Sequence, residues 1–329
     1  MRHRDPQDLR CTYLIVIEQR PLKDGDLRRL AAYLSDLSAT GCDVVTVDGS
    51  PMPLFEHHRR TLRWVGRHIA SLPKYRAPSG FIDPVRAALD LAACEKVIIA
   101  DTNVRYSSAA LTSLCQMLER HEVVEPQDYF DPLPWWTSIE AGRMLLHRGV
   151  EPLPDHGATF GVRRQALRGL RSIDSMLAPC EDHVRRLASV GAEVHSATGV
   201  FVRRLPPPLG EWVSGRSRQA DDDFSLPVKT AFFLSLLPMA LMLAAFGGLS
   251  MAGGYAGAVA VGSLALALRG RAGAASFFPL RACLAAPLWV LERSVSIYWA
   301  LFRKLRGVAD VPRGAPVADH ARDRVASGE

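Results

Sequence analysis

The sequence predicts an α/β domain with a mostly parallel central sheet, followed by C-terminal transmembrane helices. Short β-rich apolar runs alternate with amphipathic helical patterns over the first two-thirds of the chain. Two of those runs end in a carboxylate, the position at which open parallel sheets bind ligands. From Phe224 to Leu268 the sequence then turns nearly uninterruptedly apolar.

The elements follow in order. TYLIVI at 12–17 reads as a first strand. Leu27, Leu30, Leu34 and Leu37 recur at spacings of three and four, the signature of one apolar helix face, and Gly41 closes that helix. Val44–Val47 makes a second strand that ends on Asp48. A helical candidate covers 56–70, with charge and histidine on one side. Beyond Pro78, Ser79 and Gly80, a helix is expected over Pro84–Ala93, with Val85, Ala88, Leu89 and Ala92 on one face. The strand Lys96–Ala100 ends at Asp101, and a helix at 109–120 and a strand at 122–124 complete the alternation. Such a pattern makes a parallel sheet covered on both faces. Asp48 and Asp101 are then expected to project into one crevice beyond the carboxyl ends of the strands. No GxGxxG follows the first strand and no GxxxxGK[ST] occurs, which counts against dinucleotide-binding and Walker-type ATPase chemistry.

The apolar region supplies two uncharged stretches, 230–249 and 249–268. Each is long enough to cross a hydrocarbon core of about 30 Å as a helix, with a Gly-rich turn between them. The alternative is a buried helical hairpin of a soluble protein, in which Gly253, Gly254, Gly257 and Gly262 would mark close helix packing. Basic clusters flank the stretch: Arg203 and Arg204, Arg216 and Arg218, Arg269 and Arg271, and Arg303, Lys304 and Arg306. Basic flanks favour the cytoplasmic side, so both ends of the hairpin are expected inside a multi-pass protein of the cell membrane. The first ten residues, MRHRDPQDLR, lack the apolar core of an export signal, so the soluble part is expected to stay in the cytoplasm. Residues 276–302 are interrupted by Arg281, Glu292 and Arg293 and read as an interfacial helix or a third span. The net charge of +6 is spread along the chain rather than interleaved with aromatics on one face, so no nucleic-acid partner is expected. Six scattered cysteines without a CxxC pair are expected reduced and mostly buried.

VIIADTNVRY at 97–106 is the strongest chemical cluster. Asp101 and Asn103 bring two oxygen donors to one point, which suits a hard divalent cation bridging a diphosphate. The same spacing suits a helix N-cap with an Asx-turn. Glu181 and Asp182 precede a helical stretch, where acids complement the dipole or where one of them serves as a general base for a sugar hydroxyl. Trp135 and Trp136, in QDYFDPLPWW, either stack on a sugar or polyprenyl chain or pack the domain. Trp212, after LPPPLGE, suits the headgroup level of a membrane.

In order, LIVI at 14–17, VVTVDGS at 44–50, IIADTNVRY at 98–106, GATFGVRR at 157–164, CED at 180–182 and RSRQADDDF at 216–224 resemble a family-2-type glycosyltransferase with the GT-A nucleotide-sugar-binding fold. The chain looks most similar to membrane-associated bacterial members. The resemblance implies an inverting transfer of a sugar from a nucleotide diphosphate donor to a hydroxyl-bearing, lipid-linked or membrane-embedded acceptor. It implies that Asp48 contacts base or ribose and that Asp101 and Asn103 stand at the DxD-type metal position for Mn²⁺ or Mg²⁺, with Asn103 replacing the second acid and binding the cation less strongly. Asp182 or Glu181 would be the base. Arg216, Arg218 and Gln219 stand where the family has a QxxRW-like segment, of which a true copy is absent. Arg105, Arg163 and Arg164 would assist at the diphosphate, and Trp135 and Trp136 would address the acceptor. The implied layout is a flexible N-terminus at 1–11, a catalytic domain at 12–224, a membrane region at 225–306 and a disordered tail at 307–329. A catalytically silent, membrane-tethered binding protein and a nucleotidyltransferase are the competing expectations.

Overall fold

Strand β1 (Cys11–Ile17) has almost no exposed residue, because both faces of it are covered. Its odd-numbered side chains Cys11, Tyr13, Ile15 and Ile17 meet one layer of helices. Leu14 meets the other layer. The computed structural model describes residues 10–18, 22–76, 82–150, 158–168, 183–189, 191–223 and 227–306. The tail at 307–329 and all but the end of the expected flexible N-terminus fall outside these residues.

After β1 come α1 (Asp24–Ala39), β2 (Asp43–Asp48), α2 (Met52–Leu62), β3 (Arg67–Ala70), a 3₁₀ turn at Pro73–Tyr75, α3 (Pro84–Leu91), β4 (Lys96–Asp101), β5 (Val104–Arg105) and α4 (Ser108–Met117). Next are β6 (Val123–Phe130), α5 (Trp135–Val150), β7 (Thr159–Arg163), α6 (Arg164–Arg168), α7 (His183–Ser189), β8 (Val194–Arg204) and α8 (Leu209–Asp223). Helices α9 (Pro227–Arg271) and α10 (Leu280–Leu305) end the described chain. The sheet order is β3-β2-β1-β4-β7-β6-β8-β5, and only β5 and β7 run against the other strands. The expected α/β class with a mostly parallel sheet is borne out. Helices α1 and α4 cover one face, with Leu27, Leu30, Leu34 and Leu37 buried as their spacing requires. Helices α3, α6 and α7 cover the other. The helix expected over 56–70 is instead α2 followed by β3, since Gly66 takes a φ of +63° and turns the chain into the sheet edge.

Helix α9 is a hairpin. Gly248 interrupts it with φ 77° and ψ 176°. Near its start, Lys229 Nζ lies 3.3 Å from His147 Nε2, and near its end Gly270 O accepts a hydrogen bond of 3.1 Å from Arg148 Nε. Adjacent residues of α5 thus meet positions that a straight helix would hold about 60 Å apart. The chain therefore reverses at Gly248, within the Gly-rich region expected to turn. Gly253, Gly254, Gly257 and Gly262 face open space, so they do not serve close helix packing. Helix α9 is long and apolar enough to cross a membrane, and little of it is buried.

The base of this hairpin, α10 and Phe130 share a third core with α5. Gly142 brings α5 against Ala282 and Ala286 of α10, and Gly149 brings it against Leu266 of α9. Helix α10 lies along α5 with Ala282, Cys283, Ala286, Trp289 and Ile297 buried.

Candidate active site

In the strand order, β2 and β3 lie on one side of β1 and β4 lies on the other. The direction of winding therefore reverses between β1 and β4, which is where open α/β sheets form a ligand crevice. Ile17 is in register with Asp48 and Val16 with Asp101. The two acids thus stand at the same end of the sheet, two strands or about 10 Å apart.

Their side chains differ. Asp101 is exposed at the end of β4, whereas Asp48 is 1% exposed. The Asp48 carboxylate does not project into the crevice as expected. Its Oδ2 takes His58 Nδ1 at 2.8 Å and His68 Nε2 at 3.0 Å, and its Oδ1 accepts the Ser50 backbone N–H at 2.9 Å. Burial pushes this acid up, but the hydrogen bonds from His58, His68 and Ser50 outweigh burial and hold it well below the usual carboxylate range. The two histidines, on α2 and β3, were not singled out from sequence. The clustering of His57, His58 and His68 after the Asp48 strand was the available signal.

Asp101 leads into a tight turn tied down by backbone hydrogen bonds. Its N–H bonds Ala158 O at 2.9 Å, and Asn103 O accepts the Leu205 N–H at 2.8 Å. The Oδ1 of Asn103 is buried and has no hydrogen-bond donor. Arg105 closes the turn from behind, donating to Thr102 O and Val104 O at 2.7 Å each, with its guanidinium over the Tyr33 ring. Desolvation lowers the Arg105 pKa. The buried Tyr13 and Tyr106 and the partly buried Tyr33 support the loop: Tyr33 Oη donates to Tyr13 Oη and accepts the Tyr106 N–H at 2.8 Å, and Tyr106 Oη meets Thr159 Oγ1 at 2.8 Å. Burial raises all three phenols, so they stay neutral. None of them was given a role from sequence, although Tyr106 ends the VIIADTNVRY cluster, because only the fold joins it to Tyr33 and Tyr13.

The GATFGVRR segment divides. Thr159 pairs with Ala100 beside Asp101, but β7 runs antiparallel to β4, so Arg163 pairs with Lys96 at the far end of that strand. Arg163 therefore stands roughly 17 Å along the strand from Asp101, away from the crevice. Arg164 Nη2 bonds Leu89 O at that same far end. Neither basic residue is brought to the diphosphate position expected of it.

Toward the apolar platform, the segment after β8 links the crevice to the tryptophans. Leu205 bonds Asn103, and two residues on Pro207 O accepts Trp136 Nε1 at 3.1 Å. Trp135, which is 64% exposed, meets Trp136 and Trp212 edge-on. The Arg216 guanidinium lies over Trp212 and is held by Glu140 of α5, at 2.8 Å, and by Glu292 of α10. Two carboxylates commit Arg216 to the junction of three helices. Arg218 and Gln219 lie on α8, their side chains outside the described ones. Glu181 and Asp182 lie outside the described residues. The helix that follows them, α7, begins at His183, whose ring is 6.3 Å from that of Phe160 on β7. Among the described residues, no group of three or more His, Cys, Asp or Glu side chains is arranged to hold a metal.

No protein-family model matches the chain, and no curated protein sequence matches it. Among solved structures it is similar to a mannosyltransferase from Pyrobaculum calidifontis in complex with GDP-Man and Mn²⁺, at 18% identity over 90% of this chain and 89% of that one, with a TM-score of 0.49. It is also similar to glucosyl-3-phosphoglycerate synthase from Mycobacterium tuberculosis in complex with Mn²⁺, UDP and glucosyl-3-phosphoglycerate, at 13% identity over 67% and 83% of the chains, with a TM-score of 0.41.

Proposed function

We propose that the protein is a membrane-attached glycosyltransferase that moves a sugar from a nucleoside diphosphate donor to a hydroxyl-bearing, lipid-linked or membrane-embedded acceptor. The observation that carries it is Asp101, exposed at the winding reversal between β1 and β4, with the unpartnered Asn103 Oδ1 two residues away. One carboxylate and one amide oxygen fit a hard divalent cation whose remaining ligands are diphosphate oxygens and water. Bound there, Mn²⁺ or Mg²⁺ would offset charge building on the departing diphosphate.

The chain's own residues do the rest. The Tyr33–Arg105 brace fixes the backbone that carries Asp101 and Asn103, so the two oxygens are preorganised. Asp48, through His58 and His68, sets the floor of the base and ribose side rather than touching the nucleotide with a free carboxylate. Asp182, or Glu181 beside it, takes the proton of the acceptor hydroxyl as that oxygen attacks the anomeric carbon. One displacement of this kind inverts the anomeric configuration. Trp135 offers an exposed aromatic face for the acceptor, on the side of the crevice that leads to the apolar platform. The hairpin's two ends meet the soluble part on one side of the platform, which supports a cytoplasmic catalytic domain with both basic flanks on its own side.

The test is donor hydrolysis by the purified full-length protein across a panel of nucleotide sugars, with and without Mn²⁺ or Mg²⁺. Cation-dependent release of a nucleoside diphosphate from one donor, lost by at least about a hundredfold in Asp101→Ala, is the expected result. Silence on every donor, with nucleoside diphosphate binding intact, would replace the transferase with a binding protein.

A further inference from the structure

We propose that the α9 hairpin is a one-leaflet anchor whose tip ends inside the hydrocarbon, with α10 lying in the plane of the same leaflet. This rests on the membrane attachment proposed above and departs from the expectation of two full spans. Three features of the apolar platform carry it.

The first is length. Each complete arm of the hairpin is about as long as the hydrocarbon core is thick, about 30 Å. Only part of each arm protrudes. Phe233, Leu236, Ser263, Ala267 and Gly270 are buried in the base, and no residue from 237 to 262 is buried. The protruding parts measure roughly 17 and 21 Å at the helical rise, well short of a full crossing.

The second is what the base touches. Phe233 packs edge-on against Trp289, and Tyr298 Oη donates to Leu234 O. The base is therefore level with the part of α10 that carries Glu292, the partner of Arg216. Lys229 and Arg148 sit at the same level, against His147 and Gly270. A full span would draw this charged junction into the hydrocarbon, where unsolvated charges are strongly disfavoured.

The third is the surface itself. Leu280, Leu284, Leu288, Leu291, Val295 and Trp299 form one stripe along the face of α10 opposite α5, and each is more than half exposed. The stripe is continuous with the protruding hairpin, which carries no charge from residue 230 to 268. At the hairpin tip the most exposed side chains are Phe246 and Leu249, at 89% and 85%. A turn that emerged into water on the far side would present polar groups. This one presents Phe246 and Leu249 on either side of Gly247 and Gly248, with Ser250 the one polar side chain beside it. An in-plane helix and an apolar wedge of this depth fit the acyl chains of one phospholipid leaflet.

The experiment places a cysteine at the tip, as Phe246→Cys or Leu249→Cys, in the full-length protein reconstituted from outside into vesicles of phosphatidylethanolamine and phosphatidylglycerol. The parent protein measures background labelling. The expected result is loss of reaction with a membrane-impermeant maleimide both outside and inside the vesicles. A bimane label at the same site should be quenched by lipids brominated deep in the chain. Labelling by maleimide trapped inside the vesicles would overturn the one-leaflet anchor and leave membrane attachment standing. Labelling from outside with no quenching would overturn both. As a second variant, Leu249→Lys touches no other part of the fold. It should lose co-flotation with vesicles, because the ammonium has no far headgroup layer to reach. Undiminished flotation would overturn the proposal.

Discussion

Asp48 shows how far a single carboxylate can be committed away from the role its strand position suggests. Because its folded pKa is depressed, the stabilisation it contributes is fully present above the unfolded value of about 4 and is lost as pH falls through the folded one. Acid unfolding followed by circular dichroism should therefore show a limb below about pH 4 that flattens in Asp48→Asn. That variant should also lose about 3 kcal/mol at neutral pH, read from urea midpoints, since His58 and His68 are left without an anion. At Asp101 the expectation is opposite in kind. The side chain is exposed, so Asp101→Asn should leave the urea midpoint unchanged while abolishing cation-dependent turnover. The sequence made the positions of both acids legible, because a strand-terminal carboxylate is a local pattern. It did not make legible which would be buried, since that depended on histidines ten and twenty residues away that only the α2–β3 turn brings back. The same limit applies to Arg163, whose distance from the crevice follows from the direction of β7 and from nothing in its own neighbourhood.

At the scale of elements, two junctions decide whether the site is held. The turn from Asp101 to Tyr106 hangs from the Tyr33 hydroxyl on α1. Tyr33→Phe should cost about 1–2 kcal/mol of stability and raise the cation concentration needed for half-maximal turnover, with little change at saturation. Removing Arg216 takes one of two arginines from the buried Glu140, which keeps Arg143, and breaks the ion pair to Glu292 at the meeting of α5, α8 and α10. Arg216→Met should lower stability by about 1–2 kcal/mol, measured by thermal unfolding in detergent. At the α5–α9 crossing, a Cβ on Gly149 would fall 2.1 Å from Leu266 O, so Gly149→Ala should loosen the hairpin base and increase its hydrogen exchange. Of the elements, those with a strong period were legible: α1 by its leucines and the apolar hairpin by its lack of charge. Helix α5 was not, because its polar side chains Glu140, Arg143 and His147, though at helical spacing, are buried or half-buried and leave no exposed face to set it apart.

Taken whole, the molecule is a soluble α/β layer and an apolar platform joined through α5, which contributes to the core of the platform while resting beside β6. Its charge suits an anionic surface. Vesicle binding of the full-length protein should strengthen with the fraction of phosphatidylglycerol and weaken as salt screens the basic collar, measured by co-sedimentation. The coarse division into these two parts was legible from composition alone. Their mutual orientation was not, since it depends on glycines that let three helices meet at backbone distance. One consequence concerns movement. The segment that bonds Asn103 also holds Trp136, and the first turn of α5 carries that tryptophan onto the platform. Along this route hydrogen bonds link the crevice directly to the platform. Attached to a membrane as proposed, a molecule fixed in this way would glide with its mouth at constant height, so a reactant arriving sideways would be presented at one fixed angle and one arriving from water would meet only what remains of the opening.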